Sequence, residues 1–313
     1  MRRLRFVPDK TNIKFMRGRF AGIIVSVVLS VLSIGLMIYP GINYGIDFKG
    51  GIMIEARTPQ AADFGALRQM LNGLGLGQVQ LQEFGSANEV LMRIERQEGG
   101  GEAQQQAVNK VREALNAKVP GVEIRRVEAV EGSVSENLKS DAELAMGLAF
   151  LAMLIYIWFR FDWQFGVGAL VTLLLDVTKT FGFFVITHLQ FDLAAIAAIL
   201  TIMGFSINDK VVVYDRVREN LRKYKSMPLR ELIDLSINET LNRTINTSLT
   251  TLLATLPLAL VASGPVQEFA IVLIFGILLA TSSSIFIAAP ILLFLGEKRL
   301  GRGTQTEAAK PAA

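Results

Sequence analysis

Gly204-Phe205-Ser206-Ile207-Asn208-Asp209-Lys210-Val211-Val212-Val213-Tyr214-Asp215-Arg216 closes an apolar run that begins near Phe191. A membrane-spanning helix needs about 20 mostly apolar residues, and this run supplies them. Asn208 and Asp209 therefore lie within or at the edge of the hydrocarbon. An ionised carboxylate there costs roughly 2.5–3.5 kcal/mol on insertion scales. It needs a partner, a water-filled cavity, or a proton that comes and goes. Thr201, Gly204, Asn208 and Asp215 recur at helical spacing and form a small or polar face beside Asp209. Asp209 is read as a proton site; the alternative is an acid hydrated at the end of the helix. Lys210 is expected to snorkel to the surface. Asp215 and Arg216 mark the end of the span.

Working outward, the chain shows five further apolar runs. The spans are expected at 20–39, 141–160, 164–187, 192–214, 244–262 and 267–295. Of the 313 residues, 51% are hydrophobic and 19% charged, too apolar for an ordinary soluble domain. The net charge of +4 matters less than its placement, because Lys and Arg gather near the ends of the runs. Residues 1–19 carry seven Lys or Arg and one acid, Asp9. Tyr39-Pro40-Gly41 follows the first run in place of a small-residue cleavage site, so this run reads as an uncleaved helix with a cytosolic N-terminus. The basic segments at 1–19, 216–243 and 298–302 then all fall on the cytosolic side. Residues 215–243 are expected to form an amphipathic helical connection along the membrane surface. Residues 296–313 read as a cytosolic tail, disordered from Thr304 onward, with Glu297, Lys298 and Arg299 ending the last span.

Residues 40–140 are polar and contain no span. Gly51–Arg57 alternates as a strand does. Pro59–Leu71 has helical spacing, with Phe64, Leu67 and Leu71 on one face. Gln78–Phe84 and Glu89–Glu95 read as strands around a turn at Gly85–Asn88. Ala103–Leu115 is a second helix and Val122–Val130 a last strand. The order β-α-β-β-α-β is the ferredoxin-like arrangement. The fold expected is thus a six-span α-helical membrane protein with one α+β ferredoxin-like domain, on the periplasmic side, between the first and second spans.

Three more side chains invite chemistry. Asp176 sits in the middle of the third span, with Thr172 and Thr180 on its face and Lys179 three residues on. It either pairs with Lys179 or lines a proton path. Arg243 opens the fifth span, and Thr247, Thr250 and Thr251 continue its face. It either answers Asp209 or anchors the helix at the membrane surface. A nearby cation favours an ionised carboxylate and burial disfavours it, so geometry sets the balance. The small residues Gly276, Thr281, Ser282, Ser283 and Ser284 read as close helix packing. His188 reads as exposed. The absence of Cys and the single His leave no thiolate or multi-His metal site within one chain. There is no phosphate loop and no nucleophile elbow. Neither an enzyme nor a cofactor is expected, protons would be the coupling ion, and the basic clusters are read as topogenic with no nucleic-acid partner.

Several stretches resemble the SecD/SecF family of bacterial protein export, within the resistance-nodulation-division superfamily. They are Lys14-Phe15-Met16, Tyr44-Gly45-Ile46-Asp47-Phe48-Lys49-Gly50-Gly51, Gly204 to Asn220 (GFSINDKVVVYDRVREN), Arg243-Thr244-Ile245-Asn246-Thr247-Ser248 and Gly264-Pro265. The resemblance implies a half-transporter in the bacterial inner membrane that pairs with a SecD half. It implies assistance to the SecYEG channel and its SecA motor in late, proton-motive-force-driven steps, with the outer domain engaging the translocating polypeptide. By motif position, Asp209 and Arg243 correspond to the proton-relay pair and Asp176 to an acid of the third span. Gly204, Asn208, Asp215 and Arg216 complete the fourth-span motif. The family commonly has a small hydroxyl residue after the Asp; here Lys210 stands there. Rival readings are a non-conducting scaffold subunit and half of a lipid or small-molecule exporter. Polar faces on the middle spans call for an obligate partner among the membrane lipids.

Overall fold

The computed structural model describes residues 11–84, 86–262 and 264–296. The basic residues 1–10, the turn residue Gly85, Ser263, and the 297–313 segment lie outside the described residues. Two compact units emerge: residues 44–145 with 190–193, and the remainder of the chain. Six helices among the described residues are long and apolar enough to cross a membrane.

The first unit is the α+β domain. A short helix, α2 (Ile46–Lys49), precedes β1 (Gly51–Arg57), α3 (Phe64–Asn72), β2 (Val79–Phe84), β3 (Ser86–Ile94), α4 (Gly100–Lys118) and β4 (Glu123–Val130). The strands order as β2-β3-β1-β4, with every neighbouring pair antiparallel. That is the ferredoxin-like sheet the element order implied. The turn between β2 and β3 is tighter than expected, since Phe84 already pairs with Ser86. Alternation sends Ile52, Ile54 and Ala56 of β1 and Val90, Met92 and Ile94 of β3 to one face. There they meet Leu67 and Leu71 of α3 and Val108, Val111 and Leu115 of α4 in one core. Asp63 caps α3 by accepting from the Gly65 and Ala66 N–H groups. On the opposite face a β-bulge at Glu55/Ala56 accompanies an ionic lattice: Arg125–Glu89 at 2.7 Å, Arg57–Glu89 at 3.8 Å and Arg126–Glu55 at 3.9 Å. Burial pushes the Glu55 carboxyl above its ordinary range, against the pull of Arg126. The loop 190–193 returns to this unit: Gly45 N–H donates to Phe191 O at 2.9 Å.

The second unit is helical. Its helices are α1 (Arg19–Ile38), α5 (Gly132–Arg160, which begins in the first unit), α6 (Trp163–Thr187), α7 (Leu193–Lys223), α8 (Leu229–Val261), α9 (Pro265–Ser283) and α10 (Ala289–Gly296). A π-helical turn, Ser284–Ala288, joins α9 to α10. The expected surface helix over 216–239 does not form as a separate element. The α7 helix runs on to Lys223, and α8 starts at Leu229. Of the apolar positions expected to face the membrane, Leu232 and Ile233 are buried and Leu221, Leu229 and Leu235 are half-buried. Polar links close the hairpin: Arg216 Nε donates to Glu239 Oε2 at 2.7 Å, and Asn220 Nδ2 to Ser236 Oγ at 3.0 Å. His188 is exposed, as expected, and ends α6 in the left-handed conformation.

Burial within the apolar windows separates the helices: 50–56% for α6, α7 and the α9–α10 run, against 11–17% for α1, α5 and α8. The first three form the interior of the bundle. A stripe of buried serines, Ser26, Ser30 and Ser33, lets α1 approach α6. A Cβ at Gly182 of α6 would overlap the Ser33 side chain and come within 3.1 Å of Ser33 Cα. Gly182→Leu is therefore expected to force α1 off α6 and lose about 1–3 kcal/mol, the usual range for overpacking. Thermal unfolding of the purified protein reads this, with Gly35→Leu, where nothing lies within 4 Å, as the neutral control.

Candidate functional site

Asp209 is the seventeenth residue of α7, about 24 Å along the helix at 1.5 Å per residue. It is buried, with 6% exposure. The hydroxyls of Ser284 and Thr244 lie beside it, and Lys210 and Arg243 are near enough to act on its charge. Yet Asp209 Oδ2 makes no hydrogen bond, nor does Thr244 Oγ1, and both atoms are buried. Orphaned buried polar atoms are costly, on the order of 1–3 kcal/mol each. Three helices thus enclose an acid that is incompletely satisfied.

Asp176 of α6 is the opposite case. It is fully buried and saturated. Its Oδ1 meets Lys179 Nζ at 3.3 Å. Its Oδ2 takes Lys210 Nζ at 3.2 Å, the Ser206 hydroxyl at 2.9 Å and the Ser283 hydroxyl at 2.6 Å. Lys179 Nζ also donates to Ser26 Oγ of α1 at 3.0 Å, and Thr180 Oγ1 to the Asp176 carbonyl at 2.9 Å. One carboxylate therefore ties together α6, α7 and α9, and Lys179 extends the network to α1.

Lys210 corrects the expectation of snorkelling. It is 1% exposed and turned inward, in contact with the Ser206 hydroxyl and 3.2 Å from the Ser206 carbonyl. The reason is tertiary: Asp176 on the neighbouring helix offers a stronger partner than the end of α7 does. Arg243 is exposed and forms no ion pair with Asp209. Its hydroxyl row remains outside: Thr247 and Thr250 are exposed, each bonded to a carbonyl of its own helix. Thr201, Gly204 and Asn208 are exposed as well, so the small or polar face of α7 points out while Asp209 points in. Asp215 pairs with Arg160 of α5 at 2.6 Å, and Arg216 with Glu219 and Glu239.

The residues that sequence reasoning missed are hydroxyls. Ser206 stands in the opening stretch three residues before Asp209. Ser283 and Ser284 stand in a run read as packing. Their consecutive side chains face different acids, Asp176 and Asp209, at the start of the π-helical turn. A π-turn changes the angle between successive residues, and such turns concentrate at functional sites. Four hydroxyl residues in a row, Thr281 to Ser284, inside an apolar run were the available signal. Among the described residues no cluster of metal-ligating side chains occurs.

The family described as "Protein export membrane protein SecD/SecF, C-terminal" matches residues 110–298, and the SecD/SecF GG motif matches residues 39–62. A Rhodobacter capsulatus protein named protein translocase subunit SecF is 43% identical over 309 residues, covering 95% of this chain and 93% of that one. Its namesake from Rickettsia felis is 43% identical over 305 residues, covering 96% and 97%. The crystal structure of SecDF from Thermus thermophilus, described as a translocon-associated membrane protein, superposes with a TM-score of 0.84 at 30% identity. That match covers 92% of this chain and 39% of the SecDF chain, so this chain spans about two fifths of that protein.

Proposed function

This chain belongs to the SecD/SecF family of protein-export membrane proteins, and on that premise we propose that it is a proton-motive-force-coupled accessory subunit of the Sec translocase. It works beside a SecD half, with SecYEG, SecA and the translocating polypeptide as partners, in late steps of export. It lies in the inner membrane with both termini cytosolic and the α+β domain periplasmic, the orientation that the basic segments favour. The exposed polar rows of α7 and α8 support a membrane partner: Thr201, Asn208, Arg243, Thr247 and Thr250 are poor neighbours for lipid. The length of the solved SecDF chain leaves room for that second half.

The observation that carries the proton reading is the state of Asp209: a carboxyl inside the bundle, buried, with an oxygen that has no partner. Such an acid is poised to exchange a proton, whereas the Asp176 oxygens are held by two ammonium groups and two hydroxyls. Arg243 and Asp176 flank this exchange as electrostatic partners. The test is export into inverted membrane vesicles carrying Asp209→Asn, with this protein and its partner quantified by immunoblot. An imposed proton gradient is expected to lose its acceleration of late translocation, the rate falling to that of vesicles without a gradient. Acceleration equal to the parent's sinks the reading. A static scaffold is the second reading, favoured by the fully paired Asp176; it predicts that Asp209→Asn leaves gradient-driven export intact.

A further inference from the structure

Among the described residues, four Asp, Glu, Lys and Arg side chains are buried inside the helical unit: Asp176, Lys179, Asp209 and Lys210. At their ordinary charges they sum to zero. Lys210 is where the two acids meet. It follows Asp209 directly on α7, and its ammonium lies 3.2 Å from Asp176 of α6. The other groups around it are Lys179 of α6, Ser206 of its own helix and Ser283 of α9 at 3.5 Å. Arg243 of α8 acts on Asp209 from an exposed position.

A proton taken up by Asp209 leaves two ammonium groups facing one carboxylate where water screens little. An uncompensated charge in such a place is expensive. Lys179 has a second contact with Ser26 on α1 and is not among the cations that act on Asp209. Lys210 is the cation that feels both acids. We propose that Lys210 is a positioning residue that couples the two buried acids, so that protonation of Asp209 is answered by a change in the Lys210–Asp176–Ser283 contact. The packing of α6, α7 and α9 around this contact then carries the change away from the site. This deepens the proton-coupled reading and rests on it.

The test is infrared difference spectroscopy of the full chain in lipid membranes as pH is varied. The protonated-carboxyl stretch that vanishes in Asp209→Asn identifies Asp209. Lys210→Met removes a cation beside this acid and is expected to move the midpoint of that band by about one pH unit or more to the alkaline side. Lys210→Arg keeps the charge and is expected to restore the parent midpoint. Asp176→Asn frees Lys210 from its ion pair and is expected to move the midpoint the other way. Lys210→Met leaves Asp176 paired with Lys179, so the bundle retains its central contact. An Asp209 band with the same midpoint in Lys210→Met and the parent overturns the coupling alone. A parent without any titrating Asp209 band overturns the proton reading and the coupling with it.

Discussion

Asp176→Leu is expected to destabilise the helical unit by about 3–5 kcal/mol, the range for removing one partner from a buried ion pair. The carboxylate receives two ammonium groups and two hydroxyls, from Lys179, Lys210, Ser206 and Ser283. Leucine fills a similar volume but leaves both lysines without a counter-charge in an interior where neither reaches water, at 6% and 1% exposure. Lys210→Met should be milder, because Asp176 keeps Lys179 and both hydroxyls. The triple change Asp176→Leu, Lys179→Met, Lys210→Met removes the whole ionic set and is expected to recover most of the loss, since an apolar replacement of a complete buried ion pair is often neutral or stabilising. Thermal unfolding in lipid and the amount of protein in membranes measure this. An Asp176→Leu protein that melts with the parent would show that the acid is not the centre of the bundle.

Much of this architecture could be read from residue order alone. Apolar runs of span length gave six helices, and alternation at Gly51–Arg57 gave a strand with those limits. The βαββαβ order carried the sheet topology, because hairpins and right-handed crossovers leave few ways to close such a sheet. Within the site, Asp176 and Lys179 were legible as a pair because both lie on one helix, three residues apart. What crosses between helices was not legible. Periodicity gives the faces of α7 but not which face meets α6, so it sends Lys210 to the surface, whereas Asp176 holds it inside. The same ambiguity hid the outward turn of Thr201, Gly204 and Asn208. For Arg243, spacing placed it at the start of the fifth span, whereas it is the fifteenth residue of α8, and spacing could not show that the helix directs it away from an ion pair with Asp209. Ser283 and Ser284 were obscured for another reason. A regular 3.6-residue wheel does not hold through Ser284–Ala288, where the backbone is π-helical.

The largest effect expected in the α+β domain comes from Gly51→Ala, with a loss of about 3 kcal/mol. Gly51 begins the central strand β1, at φ 120°, outside the left-handed region that an alanine tolerates at modest cost. Strain of this kind is on the order of 1–3 kcal/mol. The space is closed as well: a Cβ would stand 2.6 Å from the Ile94 carbonyl oxygen and 3.4 Å from the Arg96 nitrogen. Both are backbone atoms, one at the end of β3 and one just beyond it, so neither can swing aside as a side chain would. Crowding adds a further term of about 1–3 kcal/mol. Relief would require β1 to move from β3, disturbing Ile52 and Ile54 in the core between sheet and helices. Gly50→Ala should be gentler, at φ 69° with its nearest neighbour, Val130 O, at 3.3 Å. Gly75→Ala supplies the control for backbone strain alone, at φ 65° with nothing within 4 Å. Limited proteolysis and thermal unfolding of the full chain should rank the three as Gly51, then Gly50, then Gly75. If Gly51→Ala proved no worse than Gly75→Ala, the close approach of β1 to the end of β3 would be wrong. The ranking as stated would make the second glycine of the family's GG motif a packing requirement of the sheet.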